Sequence, residues 1–321
     1  MSRSVRLWAS GALAVVLMAL LAACGPSTFT LRLHLKQGDV YQVTSVTKQH
    51  IAQEIMGQKM TLDQKMTMEY RWEVAQVAGN GNATVKVTYT RIAMDQEQGG
   101  QKRAFDTASG QEPPDFFKGL DLLVGKSFSV EFTPQGKVVK IDGLDKMFRA
   151  VAEGVGFGDK EATDAFYKAL TDSFGEDAIT EQFQTAFGNY PDAPLKVGST
   201  WNADTRLKVT FPLDVHATYT VKSWQDNQAV IAMEATLKSD ATKRVTGQNP
   251  LFDVIYDLTG TQQGTLTIDL GTGLLRESQV TQHVEGKVLL VDPKSKDNTD
   301  ALPMPFSMDT EITTTVAKQG Q

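Results

Sequence analysis

The sequence predicts a mainly β, α+β fold: large antiparallel sheets, divisible into two related half-barrel-like halves, with a short helical insert packed on the sheet. Three observations predict it. Apolar residues alternate with polar ones through long stretches before residue 142 and after residue 191. The period changes to that of helices in between. Strand-start and hairpin signatures of the first stretch recur, in the same order, in the second. The chain divides accordingly into a leader at 1–23, a β half at 24–142, a helical segment at 143–190 and a second β half at 191–321.

The leader comes first. Arg3 and Arg6 precede an uncharged stretch from Leu7 to Ala23, a positive n-region followed by an apolar h-region. A membrane span is the rival reading, since it needs roughly 20 apolar residues, with about 17 as the lower limit. The stretch ends in Leu21-Ala22-Ala23-Cys24, followed by Gly25-Pro26-Ser27. This tetrapeptide resembles the lipobox of bacterial lipoproteins. The resemblance implies a lipoprotein signal peptide over 1–23, cleavage before Cys24, a diacylglycerol on its thiol and, often, an acylated amino group. An ordinary signal peptide cut near a chance cysteine, or an uncleaved anchor, is the alternative.

Cys24 is the only cysteine of the 321 residues, so lipidation leaves no thiol for disulfides or thiolate metal sites. An exported chain without disulfides depends on its core, and 298 residues from Cys24 onward are enough to build a large one. Loss of Arg3 and Arg6 with the leader leaves 30 basic and 38 acidic residues, a formal charge of −8. That balance disfavours nucleic acid and unaided attachment to anionic membranes. Membrane affinity then falls to the lipid, at about 0.8 kcal/mol per buried CH₂, with two or three chains needed for stable anchoring. The expected location is the cell envelope, on the outer membrane facing the periplasm if the source has two membranes.

Thr28 to Leu35 alternates, placing Phe29, Leu31, Leu33 and Leu35 on one face of an expected strand. After Gly38-Asp39 the chain reads as extended from Val40 to Ile55. Lys65 to Val74 alternates cleanly, with Met66, Met68, Tyr70, Trp72 and Val74 on one face. The turn Gly79-Asn80-Gly81-Asn82 returns the chain into Ala83 to Tyr89. Asp95 to Asp115 is polar, Gln- and Gly-rich, and reads as a loop with one short strand around Phe105. Ser127 to Thr133 and Lys137 to Asp142 form a hairpin through Pro134-Gln135-Gly136.

Leu144, Met147, Phe148 and Val151 are spaced i, i+3, i+4, i+7, and Phe166, Ala169, Leu170 and Phe174 repeat the stripe. Ile179, Phe183, Ala186 and Phe187 give a third helix before Pro191. Glycines at 154, 156, 158 and 175 keep the pieces short. Their apolar faces require the sheet as a partner.

In the second half, Leu195-Lys196-Val197-Gly198-Ser199-Thr200-Trp201 matches Leu35-Lys36-Gln37-Gly38-Asp39-Val40-Tyr41. Tyr219 to Trp224, a turn at Asp226-Asn227 and Ala229 to Ile231 echo Tyr70 to Val85 more loosely. Thr265 to Leu270, Gly273 and Leu274 to Arg276 match the Gly136 hairpin. An internal duplication produces this order, and so does the general likeness of β meanders. Strands at Val280–Val291 and Phe306–Val316, separated by a Pro- and Asp-rich loop, complete the half.

Catalytic motifs fail on spacing or context. Gly119 and Gly125-Lys126-Ser127 place five residues between glycines where a phosphate loop needs four, and lead into a strand. Ser45-Val46-Thr47-Lys48 has the Ser-x-x-Lys spacing but lies in a strand without the companion motifs. His34, His50, His216 and His283 are far apart and lack metal-ligand spacing, so solvated or hydrogen-bonded surface roles are expected. No catalytic, cofactor or metal site is read from the sequence, and the chain is expected to be non-catalytic.

Nine methionines follow the leader, with Met56, Met60, Met66 and Met68 clustered. Methionine suits core filling and also surfaces that accept varied apolar ligands. The layout of lipobox, antiparallel strands and helical pieces resembles periplasmic lipoproteins with half-barrel folds that carry lipids or lipoproteins. The Gly-x-x-aromatic strand starts and the Gly136 hairpin also resemble a family of uncharacterised bacterial lipoproteins, which implies no known activity. Two roles follow: a carrier holding an apolar ligand or lipid between sheet and helices, or a scaffold docking an envelope protein through loops such as Asp95 to Asp115.

Overall fold

A computed structural model describes residues 28–55, 57–187, 190–207, 211–246, 251–295, 298 and 300–320. Cys24, the rest of the lipobox, Gly25 to Ser27 and Met56 lie outside the described residues, as do the side chains of Ala186 and Phe187. The first half supplies β1 (Val40–Ile55), β2 (Gln58–Val77), β3 (Ala83–Gln98), β4 (Gln101–Asp106), β5 (Ser127–Phe132) and β6 (Val138–Asp142). Helices α1 (Leu144–Val155), α2 (Lys160–Phe174) and α3 (Glu176–Phe187) follow. The second half supplies β7 (Thr200–Leu207), β8 (Leu213–Gln225), β9 (Gln228–Ser239), β10 (Arg244–Val245), β11 (Asp253–Asp269), β12 (Leu275–Val291) and β13 (Leu302–Lys318). The mainly β class, the antiparallel pairing and the helical insert on the sheet are as the sequence predicts.

All thirteen strands join one sheet, in the order β6-β5-β3-β2-β1-β13-β12-β11-β9-β8-β7, with β4 on β3 and β10 on β11. The two halves repeat head to tail. β1-β2-β3-β5-β6 and β7-β8-β9-β11-β12 are the same meander, each with a short strand between its third and fourth members, and β13 bridges them. The strand starts match atom for atom. Gly38 (φ +87°) donates its N–H to Val74 O at 2.9 Å, and Val74 donates back to Asp39 O at 2.9 Å. Gly198 (φ +85°) donates to Val221 O at 2.8 Å, and Val221 donates back to Ser199 O at 2.9 Å. A β-bulge follows each valine. Val74 therefore corresponds to Val221, and Tyr70 to Ala217, a register two residues from the one suggested by aligning Tyr70 with Tyr219.

The edge strands β6 and β7 do not pair, so the barrel stays open, and the helices connect them. α1 buries Leu144, Met147, Phe148 and Val151, the predicted stripe, at about 1.5–3 kcal/mol per side chain. It ends at Gly156, whose φ of +71° closes the helix. Asp159 caps α2 by accepting the Ala162 N–H at 2.7 Å. α3 sends Phe183 into the sheet, 5.4 Å from Trp72 and 5.0 Å from Phe132 between ring centroids. Among the described residues no helix is long and apolar enough to cross a membrane.

Four expectations need correction. Thr28 to Leu35 is not a strand: it makes one bridge, Phe29 to Leu195, and otherwise bonds to turns from both halves. Leu33 N–H donates to Pro134 O at 2.7 Å and His34 N–H to Thr272 O at 2.8 Å. Phe29, Leu31 and Leu33 are still buried, so alternation reported burial while the hydrogen-bond partners came from elsewhere. The first part of the Asp95–Asp115 segment is strand, because β3 runs to Gln98 and turns through Gly99-Gly100 into β4, the short strand expected around Phe105. Its polar composition reflects two solvated strands. Thr265 to Asp269 is the end of a strand that starts at Asp253, and Leu275-Arg276 and Val280–Val291 belong to one strand, β12.

Candidate functional site

Inward-facing side chains of the sheet and the face of α3 enclose a cavity of about 410 Å³. Val43, Tyr70, Trp72 and Phe128 line one side, and Ile179 and Phe183 of α3 project from another. Phe211, Leu213, Tyr219, Met233, Leu266 and Met308 close the second half. Phe211 is fixed edge-on against Tyr256 and Phe306, with centroids 5.5 and 5.0 Å apart. Leu33, Leu35, Tyr41 and Leu274 pack around Trp72 and Val74 beside the cavity. The size and lining are those of small-molecule pockets, which run to about 300–1,000 Å³, apolar with a few placed polar groups.

The polar groups form a row. Strand registers place Gln96, Gln64, Gln49, Thr310, Gln282 and Gln262 side by side across β3, β2, β1, β13, β12 and β11. Alternation turns all six inward. Gln64 donates to Gln49 Oε1 at 2.5 Å, and Gln49 donates to Thr310 Oγ1 at 3.4 Å. Gln49, Thr310, Gln282 and Gln262 line the cavity. Among the described residues Gln96 Oε1 is buried without a hydrogen-bond partner, while Gln262 and Gln282 are half-buried. No sequence motif announces this row, because its members lie on six strands and only the register aligns them.

The outer face carries a wider polar trough of about 1,610 Å³. The next register row crosses it: Asp63, His50, Asp309, His283, Thr261, Thr236, His216 and Asp204. His50 Nδ1 lies 2.7 Å from Asp63, His283 Nδ1 2.6 Å from Asp309, and His216 Nδ1 2.8 Å from Asp204. The hydrogen bond to Asp309 pushes the His283 imidazole above its ordinary range against an opposing desolvation, and Glu285 adds to the rise. Three histidines distant in sequence thus share one exposed row, a juxtaposition that their spacing hides. His34, the fourth, is exposed outside the strands.

Ser45 and Lys48 point to opposite faces of β1, Ser45 into the cavity and Lys48 into the trough beside Glu311 at 3.1 Å. The Ser-x-x-Lys spacing therefore brings no lysine to the serine. Gly119 has φ +92° in a turn against Phe166 and Val155, and Gly125 leads into β5 as predicted. The methionines divide: Met66 and Met68 lie on the inward face of β2, Met233 and Met308 line the cavity, and Met60 is exposed.

No curated protein sequence matches the chain. Among solved structures, lipovitellin, studied for its lipid–protein interactions, shares 9% identity over 88% of this chain and 26% of its own, with a TM-score of 0.46. The chain thus spans about a quarter of that protein. OccK7 (OpdD) of Pseudomonas aeruginosa shares 5% identity, with 88% and 100% coverage and a TM-score of 0.25. The translocator domain of the autotransporter NalP from Neisseria meningitidis shares 8%, with 88% and 89% coverage and a TM-score of 0.22. Likenesses this distant carry no functional information. Residues 80–275 match a family model described as a family of unknown function, DUF6263. With more than half of its length matched, the chain belongs to the DUF6263 family.

Proposed function

We propose that this protein is an envelope lipoprotein that binds an apolar ligand or lipid in the cavity between its sheet and α3, held at a membrane by acyl chains on Cys24. The carrying observation is the cavity of about 410 Å³, whose walls are mostly aromatic and aliphatic side chains drawn from both halves and the helical insert. Burying an apolar ligand there gains about 25 cal/mol per Å² removed from water. The open β6–β7 edge, spanned by helices rather than by ladder hydrogen bonds, supplies the element that can move for entry. Anchoring rests on Leu21-Ala22-Ala23-Cys24.

Mass spectrometry of organic extracts from natively purified full-chain protein tests the binding. A co-purifying apolar molecule that is lost when Ala217→Trp fills the cavity supports it. Extracts without one, or with one that persists in the filled variant, refute it. Metabolic labelling with an alkyne-bearing palmitate tests the anchor. Label that disappears in Cys24→Ala is the expected result, and wild-type processing and fractionation of that variant would refute the anchor.

A further inference from the structure

The segment before β1 fixes where a lipid on Cys24 stands relative to the sheet. Phe29 and Leu195 exchange backbone hydrogen bonds at 2.9 and 2.7 Å, and the Phe29 ring packs on Trp224 with centroids 4.9 Å apart. Thr28 therefore starts beside Lys196. From there the chain crosses one end of the sheet, where Leu33 N–H bonds to Pro134 in the β5–β6 turn and His34 N–H to Thr272 in the β11–β12 turn. Asn227 of the β8–β9 turn accepts the Leu270 N–H at 2.8 Å, so that turn belongs to the same end. Gly25, Pro26 and Ser27 separate Cys24 from Thr28. Four residue steps reach at most about 14 Å, so acyl chains on Cys24 would bring this end to the membrane. The β1–β2 hairpin tip lies at the other end, a strand length away, and the 16 residues of β1 span about 50 Å.

The turns gathered at this end suit a lipid surface. Ser199 closes the turn next to Thr28, its N–H donating to Lys196 O at 2.9 Å and its hydroxyl accepting the Lys196 N–H at 3.0 Å. That turn presents Val197, which is 55% exposed. A single exposed valine is ordinary on a protein surface, but this one stands beside the start of the tether. The equivalent turn of the first half carries the exposed Lys36, and the β5–β6 turn leads into the exposed Lys137. Of the acids in these turns, Asp39 is paired with Lys318 at 2.9 Å and Asp192 with Arg32 at 2.8 Å, while Asp226 is exposed. Lys36, Lys137 and Lys196 thus leave this end with a positive margin on an acidic chain. Attraction between lysines and an anionic leaflet fades within a Debye length, about 8 Å at physiological ionic strength, so it acts on a face that an anchor already holds close.

We propose that this end of the sheet docks on the headgroups of an anionic lipid surface, with Val197 at the contact and Lys36, Lys137 and Lys196 facing the headgroups. This rests on the Cys24 anchor reading and specifies the protein's orientation. The strands then stand away from the membrane, with the β1–β2 hairpin tip at their outer end.

Full-chain protein is purified from its own membranes with Val197→Cys or, at the far tip, Lys59→Cys, and labelled with a thiol-reactive fluorophore. It is reconstituted in vesicles of equal parts phosphatidylethanolamine and phosphatidylglycerol that carry a nitroxide on some headgroups. Wild type is the control, because a lipidated Cys24 takes no label. Quenching at position 197 should exceed that at position 59 by at least about threefold. Adding Lys36→Glu, Lys137→Glu and Lys196→Glu should reduce the quenching at 197 about threefold, while the protein keeps its melting temperature and still floats with the vesicles. Equal quenching at the two positions in floating protein, or quenching at 197 unchanged by the three charge reversals, overturns the docking face and leaves the anchor standing. An unquenched label at 197 in vesicles, with Val197→Cys shielded from a membrane-impermeant thiol reagent in native membranes, assigns the face to a protein partner and overturns lipid docking. Wild type that takes the label, or does not float, overturns the anchor reading and the docking face with it.

Discussion

A methyl group on the Cα of Gly273 would lie 1.8 Å from the carbonyl oxygen of Arg32. The two residues belong to the β11–β12 turn and to the segment before β1, and they touch backbone to backbone. Arg32 is held there by its own side chain, which donates to Pro191 O at 2.8 Å and pairs with Asp192 at 2.8 Å. Tyr190 adds a hydrogen bond to Gly273 O at 2.7 Å. This contact is where the chain before β1, the end of the helical insert and the second half meet.

Gly273→Ala should therefore destabilise the protein by on the order of 3 kcal/mol or more. The left-handed φ of +71° costs about 1–3 kcal/mol with any side chain, and the clash with Arg32 adds to it. Gly100→Ala provides the comparison, since its φ is +77° and nothing lies within 4 Å of the added carbon. Urea unfolding of both variants measures the difference. Equal losses would show that the Arg32 contact yields without cost.

The sequence read the strands and helices well where one physical signal governed them. Alternation located Tyr70, Trp72 and Val74 on an inward face, and the 3.6-residue stripe located Leu144, Met147, Phe148 and Val151. It failed where burial and hydrogen bonding separate, as at Leu33, which is buried as alternation predicts while its N–H bonds to the turn at Pro134. It failed again where strands stay solvated, as from Asp95 to Asp106. The glutamine row and the histidine row were invisible for a different reason. Each is created by register between strands up to about 260 residues apart in sequence, and periodicity within one strand carries no register information.

Phe183 couples α3 to the first half of the sheet, through Trp72 of β2 and Phe132 of β5. Phe183→Ala should cost about 3–5 kcal/mol, the usual loss for a buried phenylalanine, and should enlarge the cavity. Denaturant unfolding measures the first effect. The near-ultraviolet circular dichroism of Trp72 should weaken as its ring loses its neighbour. A loss under about 1 kcal/mol would mean that α3 closes over the gap.

Ser239 ties β9 to β11 from a buried position. Its hydroxyl accepts the Leu258 N–H at 2.7 Å and donates to Tyr256 O at 2.6 Å. Ser239→Ala leaves the Leu258 N–H buried without that acceptor, at a cost of about 1–3 kcal/mol. Hydrogen exchange at Leu258 should accelerate more than at the amides of β1. Unchanged exchange there would indicate that another acceptor replaces the hydroxyl.

The outer histidine row makes a prediction about pH. Asp309 stands between His283 and His50, within hydrogen-bond reach of His283, and with Glu285 it holds the His283 imidazolium in preference to the neutral ring. A histidine whose folded pKa is raised contributes stability in full below its unfolded value, about 6.5, and loses that contribution as the pH rises through the folded value. Asp309→Asn removes the hydrogen-bonded charge, so the His283 pKa should fall, as read from its imidazole proton shifts by NMR. The melting temperature of wild type should exceed that of the variant more at pH 5.5 than at pH 9. The side chains are close to half exposed, so the gap should be small and should shrink in high salt. Lys48, Glu311, Asp63 and Glu285 face the same row and remain in both proteins, so they do not account for the difference. A His283 pKa that does not move in Asp309→Asn would break the link between the register of this row and its titration.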